Sequence, residues 1–260
     1  GGNLSLSLGG GATVRDGALR LTDMEGDQSH WRWGSARIGV MLPRPPLLHL
    51  SASLDLLVTG PIAGSPQADD PHGVALSFGG PRMPLTIPAL DASVEAFRRD
   101  DVSLATARPA PSAEEAGVVA QLGYGASRDV GATNQSIATY VRMLYTPPDG
   151  SSPHTHFHWL PGLALPTTSW RRVQMVVAHG RLSLWLDGDA LLREVALPGW
   201  QPRVDWAFGV HGSRRDVMNH VQWVDNVQIA SGSLRTAAEV PVLLSRNGQQ
   251  FEAIGQHTFG

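Results

Sequence analysis

The chain has 260 residues, 42% of them hydrophobic and 17% charged, with a formal net charge of −3. This composition excludes a disordered chain, and the acidic balance offers no general attraction for nucleic acid. There is no cysteine and all 20 basic residues are arginine, which excludes disulfides, thiolate zinc sites, Schiff-base lysines and a P-loop lysine.

Leu4, Leu6 and Leu8 alternate with Ser5 and Ser7, a period of two that predicts a strand. Asp16-Gly17 then separates residues 12–15 from 18–22 with the turn chemistry of a hairpin, since both central residues of a type I′ turn need positive φ. Leu50, Ala52, Leu54 and Leu56 alternate with Ser51, Ser53 and Asp55, and Val74, Leu76 and Phe78 repeat the pattern. Residues 60–72, 79–90 and 145–168 read as loops rich in proline, and residues 112–119 allow one or two helical turns at most. His179-Gly180 and Asp187-Gly188 divide residues 172–197 into a three-stranded antiparallel meander. After a small polar stretch near Ser233, residues 240–246 and 249–253 flank Asn247-Gly248 as one hairpin. A hairpin alone is marginal in water, so it must pair with something. Short strands, Gly/Pro turns and no long helix predict an all-β antiparallel sandwich.

The chain opens at Gly1 without a signal-peptide pattern, and no run approaches the ~20 apolar residues of a membrane span. Residues 257–260 break off within a strand-like pattern, so a piece of a longer protein is expected.

Several stretches, in order, resemble the concanavalin A-like lectin/glucanase jelly roll, which includes laminin G-like and legume (L-type) lectin domains. Gly17-Ala-Leu-Arg-Leu-Thr22 is similar to its early strand, and Leu50–Val58 with His72-Gly-Val-Ala-Leu-Ser-Phe78 to its paired strands. Trp170-Arg-Arg-Val173 with Leu182-Ser-Leu-Trp-Leu-Asp-Gly188 resembles its "W-x-x-V…L-x-v-x-l-D-G" hairpin. Trp206-Ala-Phe-Gly209 and Trp223-Val-Asp-Asn-Val-Gln-Ile229 resemble the closing strands. The resemblance covers residues 1–231 and implies a two-sheet jelly roll with one concave face. Residues 232–260 are expected to be a linker and a partial domain: Val240–Phe251 resembles the terminal hairpin of an IPT/TIG immunoglobulin-like domain, which implies a multidomain surface protein.

Catalysis on this fold requires paired carboxylates on the concave face. The only Glu-x-Asp, Glu25-Gly26-Asp27, lies in a polar turn and lacks the third acid of the family's hydrolase motif. Legume-type sugar binding uses calcium held by carboxylates, and the strand that resembles the metal-binding one, Val119–Tyr124, has Gln121 and Gly123 where the acids belong. The sugar-contacting aspartate is likewise replaced by His72, with Asp69 and Asp70 nearby. Metal-free sugar binding would rest on aromatic faces. Trp31 and Trp33 are the candidates for it, two apart on a predicted strand, whereas Trp170, Trp185, Trp206 and Trp223 are expected mostly in the core. Arg214 and Asp216 are placed in a turn on a rim that some family members use for ligands.

His154, His156 and His158 would share one face if extended, as alternative metal ligands, although no metal or other cofactor is expected. Asn3 and Asn134 satisfy the N-glycosylation rule. The expected function is a non-catalytic lectin-like recognition or assembly module, extracellular or at the cell surface, with glycan or adjacent protein domains as partners. A polysaccharide hydrolase on the same fold is the alternative, and a spacer without ligand is a third reading.

Overall fold

The computed structural model describes residues 5–22, 32–39, 49–59, 73–83, 114–127, 136–160, 163, 165, 168–203, 205–214, 221–232, 240–245 and 251–257. Among them every regular element is a strand. In chain order these are β1 (Ser5–Gly10), β2 (Thr13–Arg15), β3 (Ala18–Arg20), β4 (Arg32–Gly39), β5 (His49–Thr59), β6 (Gly73–Gly79), β7 (Gly117–Ser127) and β8 (Ser136–Thr146). There follow β9 (His154–Leu160), β10 (Arg171–Ala178), β11 (Arg181–Leu186), β12 (Asp189–Ala196), β13 (Ala207–Arg214), β14 (Val221–Gly232), β15 (Val240–Ser245) and β16 (Phe251–His257). One sheet runs β1-β4-β13-β6-β7-β8-β9, the other β12-β11-β10-β5-β14-β15-β16, with β3 also on β14 and β2 on β3. All pairings are antiparallel, so the expected jelly-roll sandwich forms.

The period of two decides which side chains meet. Leu50, Ala52, Leu54, Leu56 and Val58 of β5 are buried, while the residues between them are half-buried on the outer face. From the facing sheet come Val74, Leu76 and Phe78 of β6, Val118, Ala120 and Leu122 of β7, and Val141, Met143 and Tyr145 of β8. Each fully buried aliphatic side chain contributes about 1.5–3 kcal/mol, so this interface carries the stability of the fold.

Three turns behave as their chemistry predicts. Asp16-Gly17, His179-Gly180 and Asp187-Gly188 all have positive φ at both positions, and the meander β10-β11-β12 follows. The aspartate of the last turn also holds the strand beside it: Asp187 accepts from the Arg172 backbone N–H at 2.6 Å and pairs with the Arg171 guanidinium. Asn226, in the Asp-Asn of the closing motif, sits at φ 48° in a bulge of β14 and donates to Asp55 at 2.6 Å. Arg172 donates to the same carboxylate at 3.0 Å and to Ser53 at 2.6 Å. These motif residues therefore staple β5, β10 and β14 on the sheet's outer face.

Some expectations are corrected. Part of the predicted loop 145–168 is a strand, β9, because β8 offers its free edge to a sequence that alternates in period two. Glu114 and Glu115 form a turn and β7 begins at Gly117, in place of helical turns. Trp206 is core, but Trp170 is 44% exposed just before β10, and Trp185 and Trp223 are only half-buried. Their positions are on the outer face of the β10-β5-β14 sheet, which faces away from the core. Trp200 instead joins the core aromatics, with ring centroids 5.3 Å from Trp206, 5.9 Å from Tyr145 and 6.2 Å from Phe78. The C-terminal hairpin does find a partner: β15 pairs with β14 at Gln228↔Leu244 and Ile229↔Leu243, extending the second sheet.

Candidate functional site

The outer face of the seven-stranded sheet corresponds to the face expected to be concave. Register places one row across it: Gly9, Ser35, His211, Ala75, Gln121, Arg142 and Phe157. A second row runs Trp33, Ser213, Gly73, Gly123, Tyr140 and Trp159. Among the described strand residues on this face there is no aspartate or glutamate.

The two positions where a metal-binding strand would carry acids are both committed to other partners. Gln121 accepts a 2.6 Å hydrogen bond from Nε of Arg142, and both are buried. Burial lowers the Arg142 pKa, with Tyr140 acting weakly in the other direction. At Gly123 a Cβ would stand 2.2 Å from Cζ and 2.5 Å from the hydroxyl of Tyr140, so the tyrosine ring occupies the space an aspartate side chain would need. A calcium ion needs several anionic or carbonyl oxygens converging on it. One amide already held by a cation, beside a glycine covered by a ring, does not fit that group.

Tyr140 also packs against Phe157, a half-buried residue on β9, with ring centroids 5.5 Å apart and planes tilted by 30°. Aromatic surface, a guanidinium and an amide thus stand together on this face.

Deeper in the same row, His211 is 2% exposed and its Nε2 lies 2.8 Å from Ser77 Oγ, which in turn donates to the Gly209 carbonyl at 3.4 Å. With Nε2–H donating, the buried Nδ1 is an acceptor without a hydrogen-bond partner, which is cheaper than an orphan N–H. Burial, then the nearby Arg37 charge, pushes the His211 pKa down to about 3. Gly209 makes room for this pair, since a Cβ there would lie 2.6 Å from Ser77 Oγ and 2.7 Å from Nε2. Arg37 donates to the Pro81 carbonyl at 2.8 Å, next to a cavity of about 10 Å³ also lined by Ser77, Met83 and Gly209. That volume is room for one water. Sequence reasoning missed His211, Ser77 and Arg142, because nothing local marks them. Only the register brings them together.

Of the residues singled out from sequence, Trp33 stands in β4 opposite Ser213, and Arg214 is the last residue of β13 opposite Arg32, on the strand and not in the turn. Trp31, Asp69, Asp70, His72, Asp216, Asn3 and Asn134, like the Glu25-Gly26-Asp27 turn, lie outside the described residues. His154, His156 and His158 are on β9, in register with Tyr145, Met143 and Val141, so they share the face opposite to Phe157. Among the described residues no three His, Cys, Asp or Glu side chains are placed to hold a metal, and no helix is long and apolar enough to cross a membrane.

No family profile matches the sequence, and no curated protein does. Solved structures match over most of the chain. The metal-free lectin I-B4 from Griffonia simplicifolia is 13% identical with a TM-score of 0.54, covering 88% of this chain and 94% of its own. The carbohydrate recognition domain of Emp47p is 12% identical with a TM-score of 0.53, covering 88% and 89%. The exoplasmic/lumenal domain of VIP36, in a Ca²⁺/Man3GlcNAc-bound form, is 11% identical with a TM-score of 0.50, covering 89% and 85%. The chain has the jelly-roll fold of the legume and L-type lectins.

Proposed function

We propose that this chain is a non-catalytic, lectin-like module that binds glycan on the outer face of its seven-stranded sheet without calcium. The observation that carries this reading is the row Gln121–Arg142–Phe157 beside Tyr140 and Gly123. Phe157 supplies a face for sugar C–H groups, the buried Gln121–Arg142 pair holds the strands beneath it, and the acid positions are closed. The cavity beside Ser77 is too small for a sugar ring, so the ligand rests on the surface near Phe157. A hydrolase would need two carboxylates within reach of one glycosidic bond, and the described strands of this face supply none.

The fold shared with lumenal and plant lectin domains supports a location outside the cytoplasm, at the cell surface or beyond it. The Val240–Phe251 hairpin, with its likeness to an IPT/TIG terminus, supports attachment to further modules, making adjacent protein domains a second class of partner.

A glycan array probed with and without chelator tests the reading. Binding that persists in chelator and falls about tenfold in Phe157→Ala is the expected result, on the scale of one lost stacking contact. Binding abolished by chelator would overturn the metal-free mechanism, and absence of binding in either condition would overturn glycan recognition itself.

A further inference from the structure

Residues two apart on a strand point the same way, with backbone positions separated by about 6.6–6.8 Å. The His156 and His158 rings are closer than that: their centroids are 4.4 Å apart and their planes make 79°. The two imidazoles have therefore turned toward each other. His154 goes elsewhere, stacking on Tyr145 with centroids 6.1 Å apart and planes at 20°. Among the described strands β9 ends the sheet; His158 is exposed and His156 half-buried.

Rings this close can share one ion. With metal–nitrogen bonds of about 2.0–2.1 Å, each ring centroid lies about 3.2 Å from the ion, so a right-angle chelate sets the centroids about 4.5 Å apart and a tetrahedral one about 5.2 Å. The observed 4.4 Å lies within the span that one ion bridges. Square-planar or tetragonal nitrogen coordination is the preference of copper(II) and nickel(II), and copper binds such sites more tightly than nickel or zinc.

We infer that His156 and His158 form a bidentate copper(II) site on β9, with water completing the coordination. The site goes beyond the glycan reading and is independent of it, because these imidazoles occupy the face of β9 opposite to Phe157.

Calorimetric titration of the chain with Cu²⁺, followed by electron paramagnetic resonance, tests it. The expected result is a copper site with nitrogen hyperfine structure, weakened at least about tenfold in His156→Ala and in His158→Ala and retained in His154→Ala, with Zn²⁺ bound more weakly than Cu²⁺. His158→Gln, a milder change at an exposed position, gives the same loss with the circular dichroism spectrum unchanged. Equal copper affinity in the wild type and both single variants would overturn the assignment, as would a stronger dependence on His154 than on His156 or His158.

Discussion

Nε of Arg142 donates a 2.6 Å hydrogen bond to the side-chain oxygen of Gln121, joining neighbouring strands across the outer face of the seven-stranded sheet. The guanidinium is taken from water, and the amide oxygen offsets part of that cost. Hydrogen bonds to charged groups are worth about 1.5–3 kcal/mol. Gln121→Leu is therefore expected to lower unfolding free energy by about 2 kcal/mol, read from a urea melt with unchanged m-value. Gln121→Met, of similar length, should cost as much, because the loss is polar and not one of volume.

Restoring a single acid should not restore a cation site. Gln121→Glu places a carboxylate beside Arg142, and the two are expected to form an ion pair. Calorimetry with calcium should then show no binding, because Tyr140 still fills the space over Gly123. Calcium binding by this single variant would contradict the account of the closed site.

Gly123→Ala tests that closure directly. A methyl group 2.2 Å from the Tyr140 ring must displace it, at an expected cost of about 1–3 kcal/mol. In Tyr140→Ala the same methyl group meets no ring, so the double variant should be more stable than the sum of the single effects predicts. Strict additivity in that cycle would place the tyrosine elsewhere.

His211 makes stability depend on acid. Its folded pKa of about 3 lies below the ordinary 6.5, so the unfolded chain binds a proton that the folded chain refuses. Its contribution is fully present above pH 6.5 and is lost as pH falls from there toward 3, by up to about 1.4 kcal/mol per pH unit at the steepest. Denaturation midpoints measured across that window should fall less steeply in His211→Asn. An unchanged slope would mean that other groups carry the acid sensitivity.

Asn226 combines a left-handed backbone with a hydrogen bond to Asp55. Asn226→Ala is expected to cost about 2 kcal/mol through both losses together, and Asn226→Gly less, because glycine keeps the backbone favourable. The two thermal midpoints, measured side by side, separate backbone from side chain.

Much of the architecture was legible in residue order because strands have a period of two and their turns have a local chemistry. Asp16-Gly17, His179-Gly180 and Asp187-Gly188 announce hairpins from dipeptides alone, since their requirement for positive φ is a property of those residues. Alternation in residues 50–56 likewise announces which side chains of β5 are buried. The replacement of acids at Gln121 and Gly123 was also readable, once a resemblance told where acids belong. Tertiary structure decided what happens across strands. Arg142 lies twenty-one residues from Gln121, and His211 lies 134 from Ser77. Their encounters depend on strand order and register, long-range properties that no local pattern encodes. The same holds for Trp170, expected in the core and found exposed, and for Trp200, which no sequence pattern marked and which joins the core aromatics. A tryptophan's fate depends on which face of the sandwich its position reaches, and sheet pairing settles that only when the whole chain is folded.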